Sequence, residues 1–441
     1  MIMNKIITKF GGSSLADANQ FRKVKNIIEA NPARKYVVPS APGKRHSKDS
    51  KVTDLLYLCH SHVSVGISLD EVFNLIKDRY LGIITDLNLD FDISEYLATI
   101  KKDLEDGASK DYAASRGEYL NGLVLAKYLG FEFVDAKDVI KFNEDGSLDN
   151  DATKTALSER LSNVSKAVIP GFYGSDKDGN IVTFSRGGSD VTGALVAASI
   201  NADLYENWTD VSGFLMADPR IVENPKPISR ITYSELRELS YMGASVLHED
   251  AIFPVREIGI PINIKNTNKP EDEGTFIVQE SDAINPINPN IITGIAGKKD
   301  FTVISITKAN MNSELGFCRK LLSVLEQNNI SFENMPSGID TVCLVIQDSQ
   351  LKKKTQNVID EIKRSCNPDT IEVHPNMAMI ATVGRGMAKQ RGTAAKIFAA
   401  LSNSEINIRM IDQGSSEMNI LVGVENDNFE KGIAAIYKAF N

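Results

Sequence analysis

The chain has 441 residues, 42% of them apolar, enough for about three domains of roughly 150 residues each. A net charge of −9 sets aside nucleic acid and anionic membrane surfaces as main partners, because both require a concentrated positive field. No run approaches the roughly 20 apolar residues that span a bilayer and none reads as a secretory leader, so a cytoplasmic protein is expected.

In chain order, residues 5–10 read as a strand, 17–29 as a helix, 36–40 as a strand, 111–129 as helical and 131–135 as a strand. The alternation continues with a strand at 166–171, a helix at 190–200, a strand at 203–207, a helix at 233–240 and a strand at 261–265. Such alternation predicts an α/β fold with a mostly parallel central sheet between helical layers, and ligands at the carboxyl ends of its strands. Residues 281–289, SDAINPINP, read as a linker. Beyond them the chain repeats: Gly316 aligns with Gly392, Leu325 with Leu401, Ile330 with Ile406, Gly338 with Gly414 and Leu344 with Ile420. Each copy reads strand, helix, two strands, helix, beginning at 301–306 and at 377–383 and ending with helices at 351–364 and 429–440. A further strand, 371–373, follows only the first copy, and another, 291–296, precedes it, so a strand is expected to be exchanged between copies. Taken by itself, the pair reads as two units packed for stability.

Two glycine loops follow strands and precede helices. Lys9-Phe10-Gly11-Gly12-Ser13-Ser14 offers backbone N–H groups and a lysine to a phosphate, though Gly-Gly there also serves a plain turn. In Thr183-Phe184-Ser185-Arg186-Gly187-Gly188-Ser189-Asp190, Arg186 is a planar fork suited to a carboxylate, and Asp190 stands where a helix cap is also expected. A third loop, Trp208-Thr209-Asp210-Val211-Ser212-Gly213, leading to Asp218-Pro219-Arg220, suits a nucleotide or a surface turn. The four cysteines, Cys59, Cys318, Cys343 and Cys366, lack metal or disulfide spacing, and none of the five histidines, His46, His60, His62, His248 and His374, lies in these loops.

Taken in order, KFGGSS, FSRGGSD, WTDVSGFLMADPR and GASVLHEDAIFPV resemble the motif series of the aspartate kinases in the amino-acid kinase family, followed by that family's twin ACT region. The resemblance implies a three-layer αβα amino-acid kinase domain over 1–285 and two ferredoxin-like ACT domains over 291–374 and 375–441. It implies transfer of the ATP γ-phosphoryl group to the β-carboxylate of L-aspartate with Mg2+, the first step towards lysine, threonine and methionine. Lys9 and Asp190 become the catalytic pair, and Thr53, Glu118, Arg186 and Ser189 the groups that hold aspartate. Lys9, Gly11, Gly12, Thr209, Asp210 and Arg220 fall to the nucleotide. Taken alone, Glu118 is a helical glutamate that solvent commonly claims. Residues 42–51 are the candidate closing loop. Met311, Phe317, Ser331 and Glu333 are expected to hold an inhibitory amino acid, lysine in preference to threonine, with a homodimer or homotetramer formed through the ACT domains. Leu215, Ser245 and Glu249 depart from the family pattern, and Lys265 or Lys269 is the candidate replacement for a lost charge. Two alternatives stay open: another member of the amino-acid kinase family, and an amino-acid sensor without turnover.

Overall fold

The apolar run near the N-terminus becomes β1 (Ile6–Phe10), with all five residues buried, as a strand covered on both faces requires. The computed structural model describes residues 4–185, 187–244, 252–280 and 291–441, so the expected linker at 281–289 lies outside the described residues. They divide between two compact units, the first made from described residues of Met1–Phe214, Pro227–Leu236 and Ser245–Ile287. The second takes Leu215–Lys226, Arg237–Ala244 and described residues of Asn288–Asn441.

In the first unit β1 is followed by β2 (Arg34–Pro39), β3 (Glu132–Phe133) and β4 (Ala167–Val168), then a hairpin of β5 (Tyr173–Ser175) and β6 (Ile181–Thr183). β7 (Leu204–Thr209), β8 (Arg230–Thr232), β9 (Ile262–Asn266) and β10 (Thr275–Val278) complete the set. The eight-stranded sheet runs β3-β4-β2-β1-β7-β9-β10-β8. Its neighbours are parallel except β9 and β10. β1 therefore lies between β2 and β7, where the chain order reverses, the usual place for a ligand crevice.

Helices Val52–Ser64, Asp70–Asp86 and Ser94–Glu105, which the chain-order reading did not place, bury Leu56, Ile76, Tyr80 and Ile100 around Lys110–Leu129. That central helix is buried at most positions from Ala113 to Ala126, starts at Ser109, whose side chain accepts from the Tyr112 N–H, and ends at left-handed Gly130.

In the second unit, β11 (Gly294–Thr307), β12 (Thr341–Gln347), β13 (Thr370–Val383), β14 (Met410–Asp412) and β15 (Asn419–Glu425) form one antiparallel sheet, ordered β12-β11-β13-β15-β14. The exchanged strand is the first half of β11. Gly294 to Lys298 pair with Val383 to Met379 of the second repeat, whereas Val303 to Thr307 pair with His374 to Thr370, which close the first. The register breaks between these halves, where Asp300 adopts φ 66°. Helices Phe317–Gln327 and Thr355–Cys366 bury Leu321, Val324, Val358 and Ile362 in a core with β11 and β12. Segments from before the repeats join this unit: the Ile295 N–H donates to the Met216 carbonyl at 2.7 Å.

Candidate active site

The carboxyl ends of β1, β2 and β7 continue as loops that stay hydrogen-bonded. Gly11 donates to the Trp208 carbonyl at 2.9 Å, Ser40 to that of Phe10 at 3.0 Å, and Gly171 to that of Pro39 at 3.1 Å. Gly43 donates to the Gly12 carbonyl at 2.8 Å, and a Cβ on Gly12 would stand 2.8 Å from the Ala41 oxygen. Only glycine permits that loop contact.

Lys9, 8% exposed, is the penultimate residue of β1 and pairs through Nζ with Asp190 Oδ1 at 2.6 Å. Asp190 does not cap its helix, Gly188–Ser199, because the cap position is left-handed Gly187 with no side-chain bond. Its Oδ1 accepts a second bond from Asn207 Nδ2 at 2.8 Å, and its backbone oxygen accepts from the Tyr205 hydroxyl at 3.0 Å. Neither β7 residue was singled out from the sequence. Their alternate spacing on a strand parallel to β1, with Lys9 beside Asn207 in register, is the signal that would have found them.

Glu118 is 5% exposed, so the solvated reading of that helical glutamate does not hold. Burial pushes its carboxyl up to about 8, against backbone donation from Ala41 and the nearby charges of Arg116 and Lys9. Its Oε2 has no hydrogen-bond partner. A desolvated carboxyl with an open oxygen suits an incoming ammonium group. Arg116 itself sits among the rings of Tyr112, Tyr119 and Tyr173, 4.5, 4.6 and 5.3 Å from their centroids.

Ser189 is buried against Gly171, where a Cβ would come within 2.6 Å of the serine Cβ. Phe172, next in the chain, adopts φ 79°, a costly conformation for a bulky residue, held by Thr192 Oγ1 at 3.1 Å and by the Phe184 N–H at 3.0 Å. Thr53 is half-buried at the start of Val52–Ser64, whose first N–H donates to the Pro42 carbonyl at 3.2 Å. Thr209 ends β7, half-buried, and the exposed Asp210 follows it, with Thr209 Oγ1 3.3 Å from Asp210 Oδ1. Arg186, Ser245 and Glu249 lie outside the described residues.

Arg220 and Leu215 belong to the second unit, where Arg220 is exposed and its Nη2 donates to Asp218 at 2.5 Å. Lys265 faces the side of the sheet opposite Lys9. It is in register with Trp208, whose ring lies 5.3 Å from its ammonium, and it donates to the Asp272 carbonyl at 2.8 Å. Lys269 is exposed.

Of the four residues expected to hold an inhibitor, Met311 and Phe317 are core residues, 6% and 2% exposed, because their apolar side chains find their partners inside the repeat. Ser331 is exposed, beside Arg319, Glu326 and Phe332, while Glu333 lines a cavity of about 120 Å³ with Tyr241, Met379 and Asp412. Ser331 and Glu333 thus line two different cavities.

Residues 4–266 match the amino acid kinase family and residues 380–440 an ACT domain. Aspartokinase 3 of Bacillus subtilis is 39% identical over 98% of each chain. The crystal structure of Clostridium acetobutylicum aspartate kinase is 62% identical, covers 100% of both chains and superposes with a TM-score of 0.92. Escherichia coli aspartokinase III, solved with aspartate and ADP, is 25% identical over 99% of both chains with a TM-score of 0.74. Parallel sheet, paired glycine loops, buried Lys9–Asp190 contact and whole-length likeness agree: the chain belongs to the amino acid kinase family, among its aspartokinases.

Proposed function

We propose that the chain transfers the γ-phosphoryl group of ATP to the β-carboxylate of L-aspartate at the strand ends around Lys9. The observation that carries this reading is the buried Lys9–Asp190 pair beside the desolvated, half-partnered Glu118. A carboxylate nucleophile with a pKa near ~4 is ionised at neutral pH and needs no general base. One aspartate oxygen bonds to the γ-phosphorus as the bond to the β–γ bridging oxygen breaks, leaving ADP and an acyl phosphate. No proton moves. The work is to bring anions together and offset charge on the transferring group.

Lys9 donates to that group, and Asp190 holds Lys9 in place. Glu118 takes the ammonium of aspartate, Arg186 its α-carboxylate, and Thr53 with Ser189 supply hydroxyls. Gly11 leaves room before the Lys9 ammonium, since a Cβ there would stand 3.7 Å from Nζ. With Gly12, Thr209 and Asp210 it receives the nucleotide. Among the described residues no group of three or more His, Cys, Asp or Glu gathers to cage a metal. Mg2+ brought by ATP would supply charge neutralisation, and Asp190, the carboxylate paired with Lys9, would be the residue to face it.

The chain is further proposed to bind lysine at its ACT region as an inhibitor and to assemble as a homo-oligomer there. E. coli aspartokinase III, 25% identical with a TM-score of 0.75, has been solved with lysine and aspartate, and Glu333 supplies a carboxylate for a cationic side chain here. A coupled assay with ATP and aspartate, glutamate, uridine monophosphate or carbamate, trapping acyl phosphate with hydroxylamine, tests the reading. Turnover with aspartate alone is expected; turnover with another acceptor, or none, overturns it.

A further inference from the structure

We infer that Asn207 is a positioning residue for phosphoryl transfer, holding Asp190 so that the Lys9 ammonium stays free to answer charge on the transferred group. This rests on the assignment of Lys9 and Asp190 above. Asp190 Oδ1 accepts from two donors at once, Lys9 Nζ at 2.6 Å and Asn207 Nδ2 at 2.8 Å. Both neighbours are buried, Asn207 4% and Lys9 8% exposed, so solvent does not compete well for either bond. Asp190 is also held through its main chain, where the Tyr205 hydroxyl donates to the backbone oxygen at 3.0 Å.

Two consequences follow from sharing one oxygen. The carboxamide N–H draws electron density from Oδ1 and weakens its hold on Lys9, whose ammonium has three donors and spends one on Asp190. The carboxamide also fixes the carboxylate from the β7 side, so Asp190 does not follow Lys9 when the ammonium moves towards a developing phosphoryl charge. The contribution is therefore larger in the transition state than in the substrate complex and is read in kcat.

The test uses the full chain with Asn207→Leu, which keeps a branched side chain but has no N–H, and with Asn207→Asp, which keeps the shape. Asn207→Leu is expected to lower kcat by about 10- to 100-fold, the scale of a hydrogen bond to a charged group, with KM for aspartate within about twofold. Asn207→Asp sets a second carboxylate beside Asp190, where like charges resist joint ionisation, so kcat should gain an ionisation that the parent profile lacks. If Asn207→Leu does not fold, judged by thermal unfolding, the pH profile of Asn207→Asp decides. A kcat for Asn207→Leu within twofold of the parent, or an unaltered profile for Asn207→Asp, overturns the inference. Lys9→Ala separates the two levels: retained kcat there removes the site assignment itself, whereas an inactive Lys9→Ala beside a fully active Asn207→Leu removes only the role of Asn207.

Discussion

A carboxyl group buried without a fixed cation costs folding free energy, and Glu118 is such a group. Its proton is held to about pH 8 in the folded chain, whereas an unfolded glutamate releases it near 4.5. The stability that this proton carries is fully present below 4.5 and lost as pH rises through about 8, because the folded state binds the extra proton across that window. Glu118→Gln is therefore expected to melt higher than the parent above pH 8, by a few kcal/mol at most. It should bind aspartate poorly, since a carboxamide offers an ammonium no charge. Thermal unfolding across pH, with KM for aspartate, checks both halves. In the parent, aspartate binding below pH 8 should release a proton, seen as a calorimetric enthalpy that varies with the ionisation enthalpy of the buffer. Lys9→Ala should remove nearly all turnover and leave aspartate affinity close to the parent's, measured by kcat and by calorimetry, because its interaction strengthens as charge develops.

At the scale of elements, the loop over residues 42–51 is held by a helix the sequence reading had not placed. Arg79 of Asp70–Asp86, 6% exposed, donates to the Gly43 carbonyl at 2.9 Å and to Asp49 Oδ2 at 2.6 Å. Arg45 binds the same carboxylate through Nε at 2.9 Å, and that bond, first among the causes, holds the Asp49 carboxyl well below the usual range. The loop base is thus fixed against Gly12, while Lys44, Arg45, His46 and Lys48 stay exposed. Arg79→Met removes the buried half of the contact but leaves Asp49 its Arg45 partner, so a loss of about 2 kcal/mol is expected. Trypsin should cut the variant faster at Lys44, Arg45 or Lys48 under native conditions. An unchanged cleavage rate would show that the loop is held by something other than Arg79.

At the scale of the molecule, the two repeats are not separable domains, because β11 and β13 each serve both. A fragment of residues 375–441 lacks the strand Gly294 to Lys298 and leaves the edge of β13 unpaired, so it should remain unfolded or aggregate. A fragment of 291–441 should give cooperative unfolding by circular dichroism; cooperative unfolding of the shorter piece alone would contradict the shared sheet. Regulation carries a matching expectation. If lysine weakens substrate binding about 5- to 150-fold, substrates must weaken lysine binding by the same factor. Calorimetric titration with lysine and with threonine, with and without saturating substrates, measures it, and Glu333→Ala should lower lysine affinity.

The alternating α/β pattern, the two glycine loops, the repeat and the need for an exchanged strand are all legible in the amino-acid order. Each is written in local periodicity or in residues only a few positions apart. Lys9, Asp190 and Glu118 were legible as candidates, but their relation was not. Contact between positions 9, 190 and 207 depends on strands brought side by side, and the burial that shifts Glu118 depends on the helices packed around it. Met311 and Phe317 pack in a core and Lys265 lies on the face of the sheet opposite Lys9, placements that no local pattern contains. Which side a residue faces follows from the neighbours its element acquires, and that information is spread over the whole chain.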